Sequence, residues 1–127
     1  MPDNSATLHE NPSAVRPETI DQHRAIASVM EELEAVDWYA QRVDATADAD
    51  LRAILAHNRD EEKEHAAMVL EWLRRRDPTL DEHLRTYLFS EGPITAIEKS
   101  ATAGEGGEAG AAPAGDGSLG IGSLKEA

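Results

Sequence analysis

Apolar residues recur at helical spacing through the first long segment of the chain, from about Pro17 to Asp44. Seven apolar positions follow steps of three and four residues: Ile26, Val29, Met30, Leu33, Val36, Ala40 and Val43. This spacing places their side chains along one face of an α-helix. Pro17 suits the first turn because its fixed φ is already close to the helical value. The pattern predicts a long amphipathic helix.

A second helix is predicted from Asp48, which can serve as its N-cap, to Asp77, just before Pro78. Its apolar stripe is made by Leu51, Ile54, Leu55, Val69, Trp72 and Leu73. Between Leu55 and Val69 the same stripe is occupied by three polar residues at steps of four and three, namely Asn58, Glu62 and His65. Charged and imidazole side chains therefore stand where core residues are expected.

The rest of the chain is organised around these two helices. A short third helix is predicted over residues 78–90, carrying Leu80, Leu84, Tyr87 and Leu88, and the following ITAIEK adds one further turn. Residues 1–14 are polar and aperiodic, which predicts a disordered N-terminus. Eight of the nine glycines fall between Gly104 and Gly122, which predicts a flexible linker over residues 99–115. The expected fold is all-α: an antiparallel two-helix hairpin plus a short C-terminal helix within residues 15–98.

Glu32 and Glu62 lie at the same level of this predicted hairpin. Each is about fourteen or fifteen residues from the intervening turn, hence roughly 20 Å along its helix at about 1.5 Å per residue. Glu62 and His65 form Glu-x-x-His, the pair by which ferritin-like four-helix bundles hold two metal ions, together with one glutamate from each neighbouring helix. The chain supplies half of such a site, so a homodimer completing the bundle is expected. The alternative is a structural Glu–His pair or a solvated charged face.

Composition limits the ligand and the partners. The chain has no cysteine, which leaves carboxylate and imidazole as strong metal ligands and suits Fe²⁺, Mn²⁺ or Zn²⁺ without choosing among them. A net charge of −13 argues against binding to nucleic acid or to an anionic membrane, because such a surface needs an excess of Lys and Arg. With no signal-like start and no membrane-length apolar run, a cytoplasmic protein is expected.

Three stretches of the sequence resemble the encapsulated ferritins: ASVMEELEAVDWYAQRVDA, ILAHNRDEEKEHAAMVLEWLRRR and HLRTYLFSEGPI. The likeness covers roughly residues 20–98. It implies a ferroxidase whose dimers complete a di-iron centre and assemble into a ring of five dimers, with storage left to a surrounding encapsulin shell. By this resemblance Glu32, Glu62 and His65 are iron ligands and Tyr39 lines the centre. The metal entry site implied by the same likeness consists of Glu31, Glu34 and Trp38.

The C-terminal residues 116–127 carry Leu119, Ile121 and Leu124 in a glycine and serine frame. Exposed apolar side chains on a tether suit docking into a hydrophobic groove. This segment resembles the cargo-loading peptide of encapsulin systems, which implies an encapsulin shell protein as partner and a location inside an encapsulin nanocompartment. Two alternatives remain open at this point: a non-catalytic cargo or adaptor protein stapled by a metal, and another di-metal enzyme such as a peroxidase.

Overall fold

The computed structural model describes residues 7–107, which form four α-helices and no strand. A single 3-10 turn, Pro12–Ala14, precedes the helices, and Asn11 caps it by accepting a hydrogen bond from the backbone N–H of Ser13. The helices are α1 (Pro17–Ala45), α2 (Ala49–Arg76), α3 (Pro78–Tyr87) and α4 (Ile94–Gly107). The all-α prediction is confirmed, and Pro17 begins α1 as expected.

The helices α1 and α2 form an antiparallel hairpin, and side chains at the turn hold its ends. Asp48 caps α2, since its Oδ1 accepts a hydrogen bond of 2.8 Å from the backbone N–H of Leu51. The guanidinium of Arg52 donates to the carbonyl oxygens of Thr46, at 2.6 Å, and Val43, at 3.4 Å. These carbonyls lie at and just beyond the end of α1, where helical backbone acceptors lack partners. Arg52 therefore ties the start of α2 to the end of α1.

Few of the residues that the structure describes are buried. Within residues 7–73 the buried residues are Ala25, Ala66 and Leu73, of which only Leu73 is large. Seven large apolar side chains of the same part of the chain are exposed: Ile26, Met30, Leu33, Trp38, Leu51, Ile54 and Met68. A single copy therefore leaves much of the apolar surface of its hairpin in water, as soluble monomers rarely do.

The chain divides into two compact units, with the boundary after Leu73. In the second unit α3 packs against α4. Asp77 caps α3 by accepting from the backbone N–H of Leu80 at 3.0 Å, and Pro78 occupies the first turn. Asp81 accepts hydrogen bonds from Arg85, at 2.9 Å, and from Arg74. These contacts fix the start of α3.

Two boundaries differ from the prediction. The helix α3 ends at Tyr87 rather than residue 90, because Phe89 takes a φ of +62°, which no α-helix accommodates. After Pro93, α4 continues for 14 residues instead of one turn and so extends into residues expected to form a linker. Its alanines favour helix, which explains the extension. The hydroxyl of Thr102 donates a hydrogen bond of 2.9 Å to the carbonyl of Glu98 one turn earlier. Within residues 7–107 no helix is both long and apolar enough to span a membrane.

Candidate metal site

Three potential metal ligands meet where α1 faces α2. Glu32 lies in α1, whereas Glu62 and His65 lie in α2, three residues apart. Residues at this spacing are neighbours on a helix surface, so one turn of α2 presents a carboxylate and an imidazole together. The antiparallel arrangement brings the third ligand alongside. The structure therefore brings Glu32, Glu62 and His65 together at one level of the hairpin, as the sequence predicts.

The distances within this group, which we call the metal triad, are short. His65 Nδ1 lies 3.3 Å from Glu62 Oε1 and 3.6 Å from Glu32 Oε1. One ligand atom from each residue lies within 4.8 Å of the other two, and no other such group of three occurs in the part of the chain that the structure describes. Side-chain exposures of 27% for Glu32, 23% for Glu62 and 43% for His65 show that the triad is reachable from solvent.

The charges of the triad are strongly linked. A hydrogen bond shared with Glu62 raises the pKa of Glu32, an effect increased by burial and by the charge of Glu62. The same hydrogen bond lowers the pKa of Glu62. Partial burial opposes protonation of His65, but its hydrogen bond to Glu62 and the charges of Glu32, Glu62 and Glu61 prevail and raise its pKa. The crowding of negative charge therefore makes Glu32 easier to protonate than an isolated glutamate.

The chemistry of the donor set fits a divalent first-row metal ion. Two carboxylates and one imidazole match the oxygen and nitrogen ligation typical of Fe²⁺, Mn²⁺ and Zn²⁺ in proteins. Ligand bonds of about 2.0–2.2 Å would draw the three ligand atoms together around a cation. Three ligands from one chain do not fill the coordination sphere of an iron ion. Further ligands must therefore come from solvent, substrate or a second copy.

The other predicted site residues lie on α1, outside the triad. Tyr39 is half-buried, and the guanidinium carbon of Arg42 lies 5.7 Å from the centre of its ring. Glu31, Glu34 and Trp38 are exposed, and Trp38 retains 48% of its accessible surface. The roles of Tyr39, Glu31, Glu34 and Trp38 in the site stay predictions.

Two interactions near the site were not anticipated from the sequence. The charge of Glu61 acts on His65 from four residues earlier in α2, a spacing that could have indicated it. Arg42 covers Tyr39 at a spacing of three residues, which is equally visible in the sequence. The predicted shell-binding residues Leu119, Ile121 and Leu124 lie outside the described residues.

Three known proteins that are similar to this chain are named as ferritin-like or as encapsulin cargo. Over 98% of its length the chain is 68% identical to the encapsulated ferritin-like protein of Rhodospirillum rubrum, covering 92% of that protein. A ferritin-like protein of Thermotoga maritima is 56% identical over 76% of the chain and 84% of its own length. An encapsulin nanocompartment cargo protein, EncC, of Myxococcus xanthus is 39% identical over 65% of the chain and 63% of its own length.

A solved structure and a family model agree with these relatives. The crystal structure of protein ne0167 from Nitrosomonas europaea superposes with a TM-score of 0.67 at 61% identity, covering 68% of this chain and 96% of that one. The EncFtn-like family model matches residues 7–91, which include both long helices and the whole metal triad. The chain therefore belongs to the EncFtn-like family.

Proposed function

We propose that this protein is a ferroxidase, which oxidises Fe²⁺ to Fe³⁺ between two copies of the chain and delivers the product inside an encapsulin shell. The observation that carries the proposal is the convergence of Glu32, Glu62 and His65 from two helices within 4.8 Å. Redox chemistry is favoured over a merely structural ion because the triad is partly exposed and leaves coordination positions for an oxidant.

A second copy supplies what the single chain lacks. Two-fold symmetry would bring two triads together, giving four carboxylates and two imidazoles, the ligand set of ferritin-like di-metal sites. The flank of α2 that carries His65 also carries the exposed apolar residues Ile54 and Met68, eleven residues before and three after it. These spacings correspond to nearly the same helix face. A partner copy covering this flank would bury the apolar residues and complete the metal site together.

The residues of the triad suit oxidation of two iron ions as substrate. Binding of Fe²⁺ competes with protonation of the triad, because a cation and a proton bind to the same ligand atoms. Carboxylates favour the harder Fe³⁺ product, which lowers the potential of the couple. Two Fe²⁺ ions give up one electron each, and with O₂ and two protons they yield two Fe³⁺ and hydrogen peroxide. An added peroxide would accept the same two electrons and form water.

The exposed residues of α1 provide a route for the substrate. Glu31, Glu34 and Trp38 follow one another at steps of three and four, so they share a helix face, and all three are exposed. In this proposal the two carboxylates gather hydrated Fe²⁺ from solvent. Tyr39, half-buried seven residues after Glu32, lines the completed centre.

The proposed shell partner is supported by the relatives and by the C-terminal sequence. Two of the similar proteins are named as encapsulated or as encapsulin cargo. The present chain ends with a segment in which Leu119, Ile121 and Leu124 stand among glycine and serine. Short apolar motifs of this kind bind in hydrophobic grooves, and several copies on one assembly add avidity.

The deciding experiment is aerobic addition of Fe²⁺ to the metal-free full chain, following Fe³⁺ absorbance in the near ultraviolet. We expect oxidation well above a protein-free control, with Glu32→Ala and His65→Ala each losing most of the rate. Glu64→Ala is the matched control, because Glu64 is an exposed glutamate of α2 outside the triad. Tight metal binding without oxidation would instead indicate that the ion has a structural role. Full activity in His65→Ala would refute the assignment.

A further inference from the structure

The turn between α3 and α4 exposes three apolar side chains to solvent. Leu88 is 47% exposed, Phe89 101% and Ile94 64%, and we call these three residues the turn patch. They fall within seven consecutive residues of the compact unit that begins at Arg74. Exposed apolar side chains grouped in this way are the usual mark of a binding surface.

Phe89 keeps its phenyl ring at a position that is unfavourable for it. The residue directly follows Leu88, the C-cap of α3, and its φ is +62°. Glycine is the usual residue at this position, because a Cβ atom strains the left-handed conformation. Strained residues persist mainly where function requires them, yet the rest of the described chain gives this ring no cover. A contact outside the described residues would explain why the ring is present.

The C-terminal residues 116–127, which lie outside the described part of the chain, are tethered at a suitable distance from the turn patch. Helix α4 begins at Ile94 and ends at Gly107, about 20 Å farther on at about 1.5 Å per residue. Twelve residues then lead from Gly107 to Leu119. A glycine-rich sequence of this length spans about 17–21 Å r.m.s.. The effective concentration of a tethered group is highest when this r.m.s. length matches the distance to be spanned.

We propose that residues 116–127 dock on the turn patch of their own chain and are thereby shielded from water until a shell protein binds them. The segment and the patch each carry three large apolar side chains, so their contact removes apolar surface from water on both sides. At a millimolar effective concentration, a contact with a Kd of about 1 mM is half occupied. The docking is therefore reversible, and a groove that binds the segment more tightly can displace it.

The test uses the full chain with a fluorine label at the turn patch. Phe89 is the only phenylalanine of the sequence, so incorporation of para-fluorophenylalanine gives a single fluorine resonance. A soluble paramagnetic chelate accelerates the relaxation of this resonance in proportion to the exposure of the ring. We expect the acceleration in the full chain to be about half of that in a chain lacking residues 116–127. Equal acceleration in both chains, as when a second copy covers the patch in each, would overturn the proposal.

Two sets of substitutions separate the apolar side chains from the length of the segment. Replacement of Leu119, Ile121 and Leu124 by Ser should give the relaxation of the truncated chain. A matched triple replacement by Ser should give that of the full chain, and it uses three preceding alanines: Ala111, Ala112 and Ala114. Labelled truncated chains refolded together with unlabelled full chains should remain exposed. Protection in this mixture would show that the segment reaches a neighbouring copy, which would overturn docking within one chain.

Phe89→Gly tests the consequence for the shell, which alone rests on the proposed function. Glycine adopts the left-handed conformation without strain, so this variant is expected to fold. Because only undocked segments bind a shell groove, we expect its apparent Kd for disassembled encapsulin shell protein to be about twofold lower than that of the parent chain. An unchanged Kd would overturn the proposed shielding. Absence of binding in both chains would refute the proposed shell partner, while the fluorine measurement still decides whether the segment docks.

Discussion

His65 Nδ1 of α2 lies 3.6 Å from Glu32 Oε1 of α1, so the metal triad depends on the register between two helices as well as on one helical turn. The spacing of Glu62 and His65 is secured by α2 alone. Glu32 joins them only while the hairpin keeps its antiparallel alignment. Metal binding and hairpin stability are therefore linked, because a cation held by both helices favours the folded state.

A divalent ion that cannot be oxidised should stabilise the protein. We expect Zn²⁺ at 100 times its Kd to raise the free energy of unfolding by about 2.7 kcal/mol, with a corresponding increase in Tm. Glu62→Ala should lose most of this increase, since only Glu32 and His65 remain. Glu64→Ala serves as the control and should retain it. An equal response of both variants in calorimetry would show that the ion binds elsewhere.

The turn between α1 and α2 gives a second prediction. Arg52→Ala removes the hydrogen bonds to the carbonyls of Thr46 and Val43 and should lower the free energy of unfolding by about 1 kcal/mol, which chemical denaturation can measure. Arg24→Ala is a suitable comparison, because its 2.7 Å ion pair with Asp21 is highly exposed at both ends. Such pairs contribute about 0.3–0.5 kcal/mol. A larger loss for Arg24→Ala would contradict the role given to Arg52.

The hydrogen bonds of Asp81 to two arginines should make the stability of the protein depend on pH. Hydrogen bonds from Arg85 and then Arg74 hold its pKa below the ordinary value of 3.8. A carboxyl whose pKa is lower in the folded state stabilises that state fully above its unfolded pKa, and the contribution disappears as pH falls through the folded pKa. Unfolding free energies should therefore differ between the parent chain and Asp81→Asn by a constant amount from pH 5 to 8. The difference should shrink below about pH 4. A difference unchanged at low pH would exclude this ionic origin.

The proposed dimer can be tested without touching a ligand. Ile54→Glu places a charge on the flank of α2 that carries His65, where Ile54 is 57% exposed in the single chain. Burying an unpaired carboxylate is costly, so we expect dissociation and loss of most iron oxidation although the triad is intact. Ala53→Glu adds the same charge one residue away, on an exposed part of the helix. Ile54→Glu should lower both the mass measured by light scattering and the oxidation rate, whereas Ala53→Glu should change neither.

Removal of residues 116–127 should abolish binding to the shell without changing iron oxidation. The truncated chain keeps the triad and both long helices, so iron oxidation should match that of the full chain. When co-expressed with an encapsulin shell protein, it should no longer co-purify with the shell. A triple replacement of Leu119, Ile121 and Leu124 by Ser in the otherwise full chain should behave in the same way. Loading of either variant would place the shell-binding determinant elsewhere.

The two long helices and the triad could be predicted because their signals are local. Apolar steps of three and four identify each helix, and Pro17 and Asp48 mark where α1 and α2 begin. The placement of Glu32 beside Glu62 required one further assumption, an antiparallel hairpin with a short turn. Every α-helix has nearly the same rise per residue, so counting residues from the turn was sufficient.

The later helices were harder to predict because opposing tendencies are nearly balanced there. Residues 99–107 mix alanine, the best helix former, with glycine, one of the poorest, and composition alone favoured a linker. Helix α4 nevertheless continues to Gly107. The left-handed backbone of Phe89 was also hidden, since an aromatic residue gives no sequence signal for a positive φ.

Under the proposed function, the division of the ligand set between two chains affects when iron chemistry can start in a cell. A newly synthesised chain has only three of the ligands and a hairpin whose buried residues are few and mostly small. Under the proposed function it remains inert toward Fe²⁺ until it meets a second copy, and that encounter depends on protein concentration. Iron oxidation then requires a threshold concentration of the protein. At low abundance iron is left to other proteins, and oxidation begins once enough chains have accumulated to form dimers.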